Sequence, residues 1–336
     1  MKTLICEKPG KFIYAQNAMP VPGKGEVLIK IRKVGICGTD IHAFAGNQPF
    51  FEYPRILGHE LSGEIMEVSS STEFSVGDKV AIIPYLNCGR CNACKMGKTN
   101  CCQSLKVLGV HVDGGMCDFI CVPGENLLPA GELHEEEIAI IEPLAIGAHA
   151  IRRAGEINGK TIAVVGCGPI GMGIVAQAKI NGARTIVLDV QQDRLEVARN
   201  DFGADYVINI QNNPIEELRE ATDGCMADIV FDATGNKGAL ESGHQFMGHG
   251  GTYVLVGLYK DSLQFHHPSI HAKETTLLCS RNATREDFVN VMRNLREKSI
   301  PTDSYITHRI PFEELADQFD KLSDPSERAI KAVVSM

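Results

Sequence analysis

The chain has no tryptophan, and aromatic residues make up only 6% of its 336 positions. Pockets for large apolar ligands draw heavily on aromatic rings, so the shortage argues against a site for a bulky apolar molecule. Positive charge is scarce too: 33 Lys and Arg against 42 Asp and Glu leave a formal charge of −9. A surface that acidic does not collect phosphate backbones or anionic lipid, which excludes nucleic acid and membrane surfaces as expected partners. No uninterrupted apolar run approaches the roughly 20 residues that cross a bilayer. Residues 1–8 (MKTLICEK) lack the apolar stretch of a secretion signal, and a cytoplasmic protein is expected. Disulfides are rare in that compartment, so the twelve cysteines need another explanation. Four of them crowd between Cys88 and Cys102, which reads as metal binding. Most of the scattered remainder are expected to be small buried hydrophobes.

What is present falls into two textures. Up to about residue 140 the chain reads as short strands, for example 26–34, 64–68 and 79–83, punctuated by turn signals at Pro22-Gly23, Gly77-Asp78, Asp113-Gly114-Gly115 and Pro123-Gly124. From about residue 144 short β-branched runs (161–165, 184–189, 229–232, 252–256) alternate with helical stretches over 169–181 and 191–200. Strand alternating with helix predicts a doubly wound parallel sheet. The fold class is therefore α/β: an irregular β-rich domain over residues 1–143 and 278–336, its tail packing back on it, and a parallel-sheet domain over 144–277. No internal repeat or low-complexity segment interrupts this.

Gly166-Cys167-Gly168-Pro169-Ile170-Gly171 matches G-x-G-x-x-G. Gly-rich hexamers arise by chance and often serve only tight packing, so context decides. Here the motif follows an apolar strand, opens a helix with Ile170, Ile174 and Ala178 on one face, and has Asp189 about 20 residues on, ending the next strand. Such glycines let the backbone approach a pyrophosphate at a helix N-terminus. Asp189 would accept hydrogen bonds from ribose hydroxyls and repel a 2′-phosphate, which predicts NAD rather than NADP.

Cys88, Cys91, Cys94 and Cys102 can close a tetrahedron of thiolates around one ion, with Gly97 turning the chain before the fourth. An iron–sulfur cluster would use the same thiolates, but a closed four-thiolate shell most naturally holds structural zinc. Cys101 competes with its neighbour as fourth ligand, and spacing favours Cys102. A closed shell leaves no place for a substrate, so the loop 88–102 does no chemistry. A second set is mixed: Cys37 in Gly35-Ile36-Cys37-Gly38-Thr39-Asp40-Ile41-His42, His59 and Glu60 in Gly58-His59-Glu60, and Glu142 in Glu142-Pro143-Leu144. Singly, each is more often a packed or hydrogen-bonded side chain. Together, three mixed ligands and an exchangeable fourth position describe a catalytic zinc.

In their order along the chain, Gly58-His59-Glu60-x-x-Gly63, Gly77-Asp78-x-Val80, the four-cysteine loop and the Gly166 loop resemble the zinc-containing medium-chain alcohol dehydrogenases over essentially the whole length. Glu-Pro-Leu at 142–144 resembles their sorbitol and threonine dehydrogenase branch. Residues 37–54, 108–115 and 280–288 resemble the bacterial L-galactonate and L-gulonate 5-dehydrogenases. Ser69 departs from the family's usual turn glycine, which bears on loop shape only. The resemblance implies a GroES-like catalytic domain beside a Rossmann domain, two zincs per chain and NAD. It makes Cys37 and His59 zinc ligands and leaves Glu60 and Glu142 as an open pair, one binding metal while the other holds the bound water, the two able to exchange roles during turnover. Thr39 then takes the substrate proton and His42 delivers it to solvent. Arg194 packs near the adenosine, while Val256, Gly257, Leu258, Ser280 and Arg281 lie along the nicotinamide half. For Arg194 a solvated surface charge is an equal alternative. The substrate implied is a sugar acid, with Asn47, Gln48, Phe50, His111, Arg281 and Asn282 as pocket candidates. Arg281 could fork onto its carboxylate, or serve the cofactor, or pair with an acid. A polyol or L-threonine dehydrogenase would share every motif outside the pocket segments, and a metal-free NAD-binding reductase or sensor would share the fold. The family also implies a homodimer or homotetramer.

Overall fold

The computed structural model describes residues 1–48, 51–68 and 74–336; Phe50 and Ser69 lie outside the described residues. The chain divides into two compact units. One comprises Met1–Pro143, Thr284–Glu297 and Ile306–Met336, and the other Leu144–Ala283 and Lys298–Tyr305.

The first unit is built on one mixed sheet. Across it run the strands Leu127–Pro129, Lys79–Ile82, Glu60–Val68, Glu26–Ile36, Lys331–Ser335 and Ile306–Pro311, with Phe119–Pro123 also paired to Glu26–Ile36. Its core is aliphatic, with Val27, Ile29, Ile31, Val34, Leu61, Ile65, Val80 and Val334 all essentially inaccessible. Two strands are longer than alternation predicts: 26–34 extends to Ile36, and 64–68 begins at Glu60. The added length is the antiparallel pairing of Gly35 with Glu60. A polar residue buried at that point is tolerated because Gly35 has no side chain; a Cβ there would lie 2.0 Å from Glu60 Oε2.

In the second unit six parallel strands stand in the order Tyr206–Asn209, Arg184–Asp189, Thr161–Val165, Ala227–Asp232, Met247–Leu255 and Thr276–Cys279. Counted along the chain this is 3-2-1-4-5-6, the Rossmann arrangement, in which ligands sit at the carboxyl ends of the strands where the order reverses. The last strand straddles residue 277, the expected end of this domain, because Thr276 to Cys279 pair with Thr252 to Leu255. The α/β class, with an irregular sheet and a separate parallel sheet, is as expected. No helix among the described residues is long and apolar enough to cross a membrane.

Candidate active site and metal centres

Among the described residues, two groups of cysteine, histidine and carboxylate place their ligand atoms within 4.8 Å of one another: Cys88, Cys91, Cys94 and Cys102, and Cys37, His59 and Glu60.

The four-cysteine group has almost no apolar support. Its short helix, Asn92–Lys95, buries no residue. Backbone amides do the local ordering: Cys88 and Ser104 N–H groups point at Cys102 Sγ at 3.3 and 3.4 Å. Donors of this kind stabilise thiolate. Amides of Cys94 and Gln103 pull the Cys91 thiol down to about 6, whereas desolvation pushes Cys94 up to about 12. Cys101 is exposed and outside the group; Cys102 is the buried fourth member. Four sulfurs gathered within reach of one point suit a closed tetrahedral zinc.

The second group is assembled from two elements of the first unit. Cys37 caps the helix Gly38–Phe44, and His59 and Glu60 enter the strand Glu60–Val68. A residue absent from the expected site holds them together. Asp40, fully buried, accepts the Cys37 amide at 2.9 Å and the Gly58 amide at 3.2 Å, and its Oδ1 lies 3.6 Å from His59 Nδ1. A carboxylate behind one ring nitrogen turns the other toward a metal, the usual support of a ligating histidine. His59 Nδ1 is otherwise a buried nitrogen without a hydrogen bond. Burial opposes charge on this ring, yet Asp40, Cys37 and Glu142 outweigh it and hold its pKa well above 6.5. Surroundings that so favour positive charge suit a dication, and thiol, imidazole and carboxylate are the donors zinc takes.

The two glutamates are treated differently. Lys331 Nζ donates to Glu60 Oε1 at 2.6 Å, to Oε2 at 2.7 Å and to the Ile36 carbonyl at 2.9 Å. Lysine and glutamate are 1% and 0% exposed. Glu142, in the first turn of Ile141–Ala154, falls outside the three-residue group and accepts a short hydrogen bond from the Tyr85 hydroxyl. Burial raises its pKa to about 7. Thr39 is half-buried and His42 exposed, three residues apart on one helix face. Asp40 had a local signal, a carboxylate three residues past a helix-capping position. Tyr85 and Lys331 had none.

In the second unit the expected cofactor residues lie at or just past the carboxyl end of a parallel strand, apart from Arg194 and from Pro169, Ile170 and Gly171, which open the helix Pro169–Ile180. Gly166 and Gly168 follow Thr161–Val165, Asp189 ends Arg184–Asp189, Val256 to Leu258 follow Met247–Leu255, and Ser280 and Arg281 follow Thr276–Cys279. The three glycines serve separate needs. Gly166 has φ +94°; a Cβ on Gly171 would meet the Gly166 carbonyl at 1.8 Å; one on Gly168 would meet only Arg194, at 4.0 Å. The open side of Gly168 caps the helix Pro169–Ile180, where an anion would approach. Arg194, on the helix Gln192–Asn200, thus borders that loop. Asp189 does more than expected: its oxygens accept the amides of Cys167 at 2.6 Å and Gln191 at 2.8 Å. Of the pocket candidates, Asn47, Gln48 and His111 belong to the first unit and Arg281 and Asn282 to the second. His111 Nδ1 accepts the Val107 amide at 3.1 Å, and Asn282 is held at φ +51°.

Known proteins carry the same architecture. The alcohol dehydrogenase GroES-like domain family matches residues 23–132, and the zinc-binding dehydrogenase family matches residues 169–297. L-Galactonate-5-dehydrogenase of Escherichia coli (strain K12) is 45% identical over 336 residues, covering 100% of this chain and 99% of that protein. Sorbitol dehydrogenase of Halalkalibacterium halodurans is 34% identical, covering 100% and 99%. The crystal structure of an alcohol dehydrogenase from E. coli CFT073 complexed with NADH is similar at a TM-score of 0.93 and 31% identity, covering 100% of this chain and 99% of that one. The chain belongs to the zinc-containing alcohol dehydrogenase family and is an NAD-dependent enzyme of that class.

Proposed function

We propose that the enzyme oxidises the C5 alcohol of a sugar acid, L-galactonate or L-gulonate, to the ketone. The observation that carries this reading is the 45% identity to L-galactonate-5-dehydrogenase along the whole chain. Cys37 and His59, with Glu60 and Glu142 as third ligand and reserve, would hold a zinc that supplies Lewis acidity to the alcohol oxygen, and NAD in the second unit would supply the hydride acceptor. The four-cysteine loop holds the second zinc. Thr39 takes the hydroxyl proton and passes it to His42, whose exposed ring releases it to water. Hydride and proton together account for the two hydrogens the alcohol loses.

Gly166 to Gly171 receive the pyrophosphate. A carboxylate has about four acceptor sites, so Asp189 can bind ribose hydroxyls beside its two amides. Arg194 serves the adenosine side, and Val256, Gly257, Leu258 and Ser280 the nicotinamide half. Arg281 is the candidate fork for the substrate carboxylate or a further cofactor contact, with Asn47, Gln48, His111 and Asn282 as hydroxyl partners and Phe50 as an apolar lining residue. A polyol is the second reading, favoured by the sorbitol dehydrogenase relative. NADH formation with L-galactonate or L-gulonate well above that with sorbitol or L-threonine supports the sugar-acid reading; the reverse order overturns it. We also place the enzyme in the cytoplasm, as a homodimer or homotetramer. Thr276–Cys279, which among the described residues pairs only with Met247–Leu255, offers the sheet edge for assembly. Light scattering that returns the 36.5 kDa of one chain counts against assembly.

A further inference from the structure

We propose that Tyr85 is a positioning residue for the reaction: by holding Glu142 through one neutral hydrogen bond, it makes Glu142 the exchangeable glutamate of the site, while Lys331 makes Glu60 the fixed one. This rests on the reading of Cys37, His59 and Glu60 as the catalytic metal group.

The asymmetry lies in the two hydrogen-bond donors. Lys331 spends all three N–H bonds inside the protein, two on Glu60 and one on the Ile36 carbonyl. Any movement of Glu60 would strand a buried ammonium, which the surrounding apolar packing penalises heavily. Tyr85 is likewise buried, at 4% exposure, in the strand Tyr85–Leu86. Its ring stands edge-on to Phe288, centroids 6.2 Å apart, and its hydroxyl donates to Glu142 Oε1. A buried phenol needs a partner, but it is uncharged and occupies one carboxylate oxygen only. Glu142 can therefore exchange that bond for a hydroxyl of an arriving substrate by leaving only a neutral hydroxyl unpaired, a smaller cost than the stranded ammonium that moving Glu60 would leave. The Phe288 contact holds the phenol in place, so Glu142 has a defined resting place.

The proposal is tested on the whole enzyme with Tyr85→Phe, Glu142→Gln and the double variant. Zinc content, release of zinc to a chromophoric chelator, kcat, and KM for NAD are measured for each. Tyr85→Phe keeps the ring and deletes only the donor. If Tyr85 acts through Glu142, it lowers kcat about tenfold and speeds release of one zinc, with KM for NAD unchanged. It then adds nothing further in the Glu142→Gln background, since the two changes remove one interaction. Additive effects overturn the proposal, as does a Tyr85→Phe enzyme with unaltered kcat and zinc release. A wild-type count of one zinc per chain would instead overturn the underlying reading of the metal group.

Discussion

Asp40 presents no surface to solvent and is no member of the metal group, yet it accepts the amides of Cys37 and Gly58 and sets its charge 3.6 Å behind His59. Replacing Asp40 with Asn keeps its size but removes the charge behind His59. The expected result is about 10- to 100-fold weaker binding at one of the two zinc sites, read by chelator competition. Lys331 is a different case, since it sits in a fully buried ion pair. Lys331→Met leaves Glu60 charged and unpartnered and should cost about 3–5 kcal/mol in urea unfolding. Pairing it with Glu60→Gln should recover much of that loss, and a double variant no more stable than the single would refute the account. These residues also mark the limit of what the sequence shows. Cys37, His59 and Glu60 stand in short recognisable strings, and Asp40 is three residues from Cys37. Lys331 becomes part of the site only when Lys331–Ser335 pairs with Glu26–Ile36, and nothing local to residue 331 announces that partner.

At the scale of elements, Asp189 is both the end of a strand and the anchor of the glycine loop, through its bonds to Cys167 and Gln191. Asp189→Ser should therefore do two things: raise the use of NADP relative to NAD, and destabilise the unit by about 1–3 kcal/mol through amides left unpaired. A variant with changed stability and unchanged cofactor preference would leave Asp189 with the structural role alone. The segment Gly243–Phe246 carries a pH-dependent contribution. His244 lies between the Glu241 carbonyl and Ser269, 2.9 and 3.0 Å away, and burial lowers its pKa below 6.5. Below pH 6.5 the unfolded chain binds a proton that the folded chain takes up only at lower pH, so stability present above that value is lost as pH falls toward the folded pKa. Thermal midpoints measured from pH 7.5 down to 5.5 should show a decline that His244→Gln makes shallower. The alternating strands and helices of this unit were legible because each apolar run is local. The start of the strand at Glu60 was not, because a buried glutamate opposite a glycine breaks the apolar pattern that marks a strand.

Across the whole molecule, the two metal groups divide labour by their surroundings as much as by their ligands. The cysteine loop gathers its sulfurs within 15 residues and could close around an ion with little else folded. The mixed group is also local, from Cys37 to Glu60, but the ammonium that pairs with its glutamate is not. Glu60 precedes Lys331 by 271 residues. At about 5–20 residues per second of synthesis, roughly 14–54 s pass on the ribosome between the making of the carboxylate and of its counter-ion. During that interval a thiol, an imidazole and an unpaired carboxylate are available together, with nothing yet built to choose among metals. Glu60 gains its counter-ion only when Lys331–Ser335 pairs with Glu26–Ile36, so the buried ion pair beside Cys37 and His59 closes only after residue 331 has been made.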